Sequence, residues 1–192
     1  MGVDVTADFT APSGTSPASS ADAMRGLGEQ LGAVLQAGDV VVLTGPLGSG
    51  KTTFTQGLVR GLGAKGRVQS PTFTIIREHK AGTRPDGTPG VGLLHMDAYR
   101  LLGDAVHTAV SEGGADIPRE AVLDILESLD VDDDLAARVL VAEWGRGVVE
   151  TLSTRVIDVE IVRDRSDGTG DSDALSDDDE PRDLRWTWID RD

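Results

Sequence analysis

The sequence predicts an α/β protein of the P-loop NTPase type: a three-layer sandwich with a mostly parallel central sheet and antiparallel edge strands. Three observations lead to this prediction. Residues 45–52, GPLGSGKT, match the phosphate-binding pattern G-x-x-x-x-G-K-[ST] at every defined position. An uninterrupted apolar run at residues 40–43 precedes the motif and is typical of a buried strand. Phe54, Leu58 and Leu62 follow at helical spacing, so the motif has the strand, loop and helix context that it requires.

The elements before the motif are a tail and one helix. Residues 1–19 are rich in small and polar residues and are predicted to form a disordered N-terminal tail. A helix is predicted to begin near Ser20 or Asp22, both good N-caps, and to present one apolar face. Everything from residue 20 to residue 192 is assigned to a single P-loop domain.

The elements after the motif are mostly strands. Apolar runs predict strands at residues 73–77, 92–96 and 139–142, with one amphipathic helix between residues 103 and 138. Residues 156–162 and 185–189 alternate between apolar and polar positions, which is typical of antiparallel strands with one solvated face. We expect these two strands to pair as a hairpin.

The charge distribution is uneven. The chain of 192 residues carries a net charge of −15, and residues 164–183 hold nine acidic residues and two arginines, hence −7. This low-complexity stretch is expected to be a disordered acidic loop inside the domain. The rest of the chain has a net charge of −8 and no overall excess of basic residues of the kind that nucleic-acid-binding proteins usually have. We therefore expect any RNA to be held by a partner.

Composition also bears on location. No apolar run approaches the roughly 20 residues that a membrane-spanning helix needs, and residues 1–20 lack the regions of a signal peptide. The sequence contains no cysteine, which excludes disulfides and agrees with a cytoplasmic protein. Its three histidines are scattered, which disfavours a zinc site.

The phosphate motif supplies the first set of candidate site residues. Glycines let the backbone turn its N–H groups toward phosphate oxygens, and the following helix adds the positive end of its dipole. Lys51 would reach the β- and γ-phosphates, and the Thr52 hydroxyl would ligate Mg²⁺. The predicted nucleotide-binding residues here are Gly45, Leu47, Gly48, Ser49, Gly50, Lys51, Thr52 and Thr53.

Hydrolysis also requires a carboxylate at the end of a neighbouring strand. Asp97 and Glu143 both qualify, because each follows an apolar strand, and the pattern leaves open which one dominates. Thr72, in Ser-Pro-Thr, either senses the γ-phosphate or belongs to a simple proline turn. Trp144, beside Glu143, either packs in the core or covers the nucleotide.

Absent motifs narrow the nucleotide and the reaction. The chain has no asparagine, so it cannot contain the Asn-Lys-x-Asp guanine-reading motif. Gly-x-Gly-x-x-Gly is also missing, which removes support for a dinucleotide fold and leaves ATP as the expected nucleotide. Two alternatives stay open: a P-loop kinase for a small metabolite, although no basic lid is visible, and a non-catalytic adaptor that ATP holds in one shape.

Four separated motifs together resemble one family. They are GPLGSGKTT at residues 45–53, SPTF at 70–73, HMDAYRL at 95–101 and Glu143-Trp144. Their order resembles that of the TsaE (YjeE-type) P-loop ATPase family of tRNA threonylcarbamoyladenosine biosynthesis, over about residues 20–162. The resemblance implies a bacterial ATPase that works with the TsaB and TsaD proteins, with tRNA reached only through those partners.

The resemblance also implies roles for individual residues. Thr52 and Glu143 would ligate Mg²⁺, Asp97 would support catalysis together with Lys51, and residues 70–73 would act as a switch. One departure concerns the first helix, where the family usually carries a threonine near the adenine and this chain has Met24.

Overall fold

The computed structural model describes residues 6–71, 76–98, 135–163 and 181–190. Within these ranges seven strands form one sheet in the order β1-β7-β6-β2-β5-β4-β3. The strands are β1 (Ser13–Ala18), β2 (Val40–Thr44), β3 (Ile76–His79), β4 (Gly92–Asp97), β5 (Arg138–Glu143), β6 (Arg155–Arg163) and β7 (Arg182–Asp190). The helices are α1 (Ala21–Val34), α2 (Lys51–Leu62) and a short 3₁₀ helix (Val149–Leu152).

The centre of the sheet is parallel. Strands β4, β5, β2 and β6 run in the same direction, whereas β3, β7 and β1 pair antiparallel at the two sides. This arrangement confirms the predicted α/β class with a mostly parallel centre and antiparallel edge strands. Strand β6 pairs parallel with β2 on one side and antiparallel with β7 on the other, so the predicted β6–β7 hairpin is present.

Helices α1 and α2 follow local signals in the sequence. The Ser20 hydroxyl accepts a hydrogen bond from the Ala23 N–H at 3.1 Å and caps α1. Gly63, at φ 66°, ends α2 in the left-handed conformation. Gly28 lets the helices approach closely, since a Cβ there would lie 2.1 Å from the Phe54 carbonyl oxygen. The two helices therefore pack as one layer on a single face of the sheet.

The core lies on both faces of the sheet. Alternate residues of β2 divide between them: Val41 and Leu43 face α1 and α2, while Val40 and Val42 face the opposite side. Val149 of the 3₁₀ helix packs in that opposite cluster. Strand β2 is thus buried on both faces, as its continuous apolar run predicts.

The N-terminal segment differs from its prediction. Residues 13–18 form β1, paired antiparallel with β7, so the prediction of a disordered tail over residues 1–19 is wrong for this part. Phe9 is buried, and its ring centroid lies 4.6 Å from that of Trp186. Gly14 lies against the Trp186 indole, where a Cβ would come within 2.2 Å of a ring carbon. Backbone pairing and aromatic burial outweigh the polar, small-residue composition of this segment.

Several predictions fall on residues outside the described ranges. They are Thr72, residues 1–5 of the expected tail, residues 73–75 of the strand expected at 73–77, residues 103–134 of the span expected to contain a helix, and residues 164–180 of the expected acidic loop. At the end of that stretch, Arg182 and Asp183 belong to β7, so the loop prediction is wrong for these two residues. Among the described residues, no helix is long and apolar enough to cross a bilayer.

Candidate nucleotide-binding site

A cavity of about 300 Å³ opens where β2 runs into α2. It lies at the carboxyl ends of the parallel strands, the usual place for ligands in an open α/β sheet. Its walls come from the phosphate-motif loop, the first turn of α2, and the ends of β4, β5 and β7. The lining residues are Ala21, Leu47, Gly48, Gly50, Lys51, Thr52, Thr53, Ser70, Asp97, Glu143, Trp144 and Arg182.

The loop has the backbone conformation that glycine permits. Gly45, Gly48 and Gly50 all have positive φ, at 151°, 74° and 103°. Gly50 is the N-cap of α2, and no side chain caps that helix start. The first N–H groups of α2 are therefore not occupied by a capping side chain, which is the arrangement that binds anions at a helix N-terminus.

Lys51 is the first residue of α2, and its side chain is 7% exposed. Its Nζ donates to the carbonyl oxygens of Gly45 at 2.9 Å and Pro46 at 3.1 Å. Burial lowers the pKa of Lys51, and the carboxylates of Glu143 and Asp97 oppose this shift. The ammonium group is thus held by the loop backbone, and the charges of two carboxylates favour its protonated form.

Asp97 and Glu143 are register partners at the carboxyl ends of β4 and β5. Both carboxylates are buried, at 8% and 5% exposure, and both line the cavity. Alternation along β4 puts His95 on the same face of the sheet as Asp97. The His95 Nε2 lies 2.9 Å from the Glu143 Oε1, and the imidazole is fully buried. His95 therefore fixes the orientation of Glu143.

Trp144 is the one non-glycine residue with positive φ among the described residues, at 61°. Such a conformation costs on the order of 1–3 kcal/mol and concentrates at functional sites. The ring is 39% exposed, and the Lys51 Nζ lies 4.8 Å from its centroid. This cation–π contact puts the indole over the phosphate-motif lysine at the wall of the cavity.

The structure brings most of the sequence-predicted residues to one cavity. Gly45 and Ser49 belong to the loop but do not line the cavity, and Thr72 lies outside the described residues. Met24 is fully buried and packs beneath the loop, where a Cβ on Gly50 would lie 3.6 Å from its Cγ. Ala21, at the start of α1, lines the cavity instead.

Sequence reasoning missed Arg182 and the contact between His95 and Glu143. The sequence places His95 in an apolar run typical of a buried strand, but such a run gives no sign of which side chain lies beside it on the next strand. Arg182 adjoins the acidic stretch and was counted with it. A sequence signal existed for Arg182, since it lies an even number of positions before Trp186 and Trp188 and therefore shares their face of β7.

The oxygen ligands at the cavity fit Mg²⁺. Mg²⁺ is usually held by one or two carboxylates together with waters and substrate phosphates. Glu143, Asp97 and the Thr52 hydroxyl supply such ligands. No group of three or more His, Cys, Asp or Glu side chains forms a metal cluster in the described part of the chain. The donor set suits a cation that arrives with a nucleotide rather than one held by protein alone.

The fold and the loop define a P-loop nucleotide-binding protein. A crystal structure of Bacillus subtilis YdiB has the same fold, with a TM-score of 0.55 and 26% identity, and the match covers 91% of this chain and 84% of that one. The family model for "Threonylcarbamoyl adenosine biosynthesis protein TsaE" matches residues 18–170. The chain belongs to the TsaE family, which confirms the resemblance seen in its motifs.

Curated relatives agree with this assignment. The tRNA threonylcarbamoyladenosine biosynthesis protein TsaE of Mycobacterium bovis is 44% identical over 137 residues, which is 71% of each chain. The protein of the same name from Streptomyces coelicolor is 46% identical over 130 residues, covering 68% of this chain and 72% of that one.

Proposed function

We propose that this protein is the ATP-binding and ATP-hydrolysing component of the tRNA threonylcarbamoyladenosine modification machinery, acting in the cytoplasm. The observation that carries the proposal is the cavity itself. It joins a phosphate-motif loop, Lys51 and Thr52 to the carboxylates of Asp97 and Glu143. A site for phosphoryl transfer needs this combination, because its catalysis rests on positioning and on neutralising charge.

Each residue has a distinct part in the proposed reaction. The loop N–H groups and Lys51 bind the β- and γ-phosphates, and Thr52 and Glu143 hold Mg²⁺. When bound, Mg²⁺ neutralises charge that develops on the phosphate oxygens. Asp97, adjacent to Glu143 in register, orients the attacking water. His95 holds Glu143 in place through its 2.9 Å contact.

The proposed partners are TsaB and TsaD, with tRNA contacted only through them. The net charge of −15 supports this division, because a protein with that charge repels the phosphate backbone of RNA. ATP turnover by the isolated chain should be slow, since partners would complete the shell that excludes water from the cavity.

Two variants test the nucleotide site. Lys51→Ala should weaken ATP binding by about 10- to 100-fold, because it removes a charge-assisted contact worth about 1.5–3 kcal/mol. Glu143→Gln should retain ATP and lose Mg²⁺-dependent phosphate release in a single turnover. Glu78→Gln, which changes a carboxylate 41% exposed on β3, is the matched control and should behave as wild type. Wild-type turnover by Glu143→Gln would transfer the role to Asp97.

Partner coupling requires its own measurement. The affinity of TsaB–TsaD for this protein should differ between the ATP-bound, ADP-bound and nucleotide-free states. Equal affinity in all three states would contradict a nucleotide-dependent role. Rapid ADP formation that depends on a small metabolite would instead identify a kinase, and nucleotide-dependent binding without hydrolysis would identify an adaptor.

A further inference from the structure

We propose that Arg182 is a second phosphate-binding cation of this site, which contacts the polyphosphate chain of the nucleotide from the side opposite the carboxylates. The inference rests on the proposed function, because it assigns a further contact to the same nucleotide.

The position of Arg182 comes from the sheet order. Strand β2 carries the loop, with β5 and β4 on one side of it and β6 and β7 on the other. Glu143 and Asp97 end the first pair of strands, and Arg182 begins β7. Lys51, between them, starts α2. The cavity therefore has its carboxylates toward one side and a guanidinium toward the other.

Arg182 lies directly against the phosphate-motif loop. Its side chain lines the cavity although the residue is only 5% exposed. Its Nη2 donates to the Gly48 carbonyl oxygen at 3.4 Å. Its Nη1 lies 3.9 Å from the place that a Cβ on Gly50 would take, beside the N-terminus of α2. The guanidinium is thus next to the loop backbone that would bind phosphate.

The charges of the cavity favour a polyphosphate contact. The charged side chains that line it, among the described residues, are Lys51, Arg182, Asp97 and Glu143. In the proposed function the carboxylates serve Mg²⁺ and water, and both cations would contact the phosphate chain. The planar fork of a guanidinium group matches the oxygens of phosphate, and the hydrogen bonds it makes to them are charge-assisted.

A purely structural role, in which Arg182 only stabilises the loop, does not account for its position in the cavity wall. Arg163, the cross-strand partner of Arg182, also donates to a loop carbonyl, that of Leu47 at 3.3 Å. Arg163 is absent from the cavity wall, so a loop carbonyl can be held without a guanidinium in the cavity. Arg182 lies at the wall as well as against the loop, which points to a ligand.

The test uses the full chain and a fluorescent ATP analogue, displaced by ATP or by inorganic tripolyphosphate. Arg182→Gln should weaken both competitors by about 10- to 100-fold, because the lost contact is charge-assisted. Arg185→Gln is the matched control, since it removes the same charge from an exposed position of the same strand. It should leave both affinities within about threefold of wild type, since exposed charges contribute little. Arg182→Lys keeps the charge, so its affinities for both competitors should lie between those of wild type and Arg182→Gln. It also replaces Arg182→Gln as the test variant if that protein fails to fold.

The outcomes separate this inference from the proposed function. If wild type fails to bind ATP, the proposed function is wrong. If wild type binds ATP and Arg182→Gln binds both competitors as tightly as wild type does, the assignment of Arg182 is wrong. Loss of ATP affinity with tripolyphosphate unchanged would place Arg182 at the nucleoside and overturn it too. A phosphate contact also predicts that the loss shrinks as salt rises, because salt screens charge. A loss that is constant at all salt concentrations would indicate bracing alone.

Discussion

Replacing His95 with leucine tests how Glu143, the proposed Mg²⁺ ligand, is held in place. The change removes the 2.9 Å contact between His95 Nε2 and Glu143 Oε1 inside a buried part of the site. A hydrogen bond to a charged group contributes about 1.5–3 kcal/mol, and loss of a partner that orients a metal ligand typically lowers metal affinity 10- to 100-fold. We expect a decrease of that size in the affinity for Mg²⁺ with ATP bound.

The assay is a titration with Mn²⁺, a paramagnetic substitute for Mg²⁺, in the presence of ATP, followed by electron paramagnetic resonance. ATP affinity without metal should stay near wild type, because His95 does not line the cavity. His95→Gln should restore part of the loss, since its amide can donate to Glu143. His79→Leu, at a buried histidine on β3 that bonds the Lys65 carbonyl instead, is the control. Unchanged Mn²⁺ affinity in His95→Leu would refute the positioning role.

Two further predictions concern stability. Gly28→Ala should lower the melting temperature by about 3–10 °C, because its methyl group would lie 2.1 Å from the Phe54 carbonyl oxygen and force α1 from α2. Gly26→Ala, where nothing lies within 4 Å of the new methyl group, should raise the melting temperature by about 1–4 °C. If calorimetry finds Gly28→Ala more stable than Gly26→Ala, the close packing of α1 on α2 at Gly28 is contradicted. Burial lowers the pKa of His79 below its ordinary 6.5, so its stabilising contribution is present above that pH and lost as pH falls further. Between about pH 7.5 and about pH 5.5 the melting temperature of His79→Gln should therefore fall less than that of wild type, and an equal fall would exclude this histidine as a cause.

The phosphate-motif region was predictable because its signals are local. Residues 40–63 contain their own apolar run, glycines, helical spacing and C-terminal stop, and each acts within a few residues. Strand β2, the loop and α2 follow the sequence closely. The two carboxylates were also predictable, because parallel strands end at one edge of a sheet, where Asp97 and Glu143 now lie in register.

The N-terminal strand was not predictable from composition. Residues 13–18 are mostly small and polar, and what makes them a strand is an edge of the sheet more than 160 residues away along the chain, with the register Ser13↔Thr187. The indole of Trp186, packed against Gly14 and Phe9, completes that contact. Because β1 and β7 are so far apart along the chain, no local sequence pattern reveals that they pair.

By itself, the sequence determined the nucleotide loop, the class of fold and the family, because these depend on short patterns and their order. Only the tertiary structure decided which side chains share the cavity. His95 and Glu143 are 48 positions apart, and Arg182 and Gly48 are 134 apart. Such pairs are set by strand order and register, which many residues determine together. No short motif specifies the 2.9 Å contact between His95 and Glu143 or the position of the Arg182 guanidinium beside the loop. Both depend on how the strands are ordered and aligned in the folded sheet.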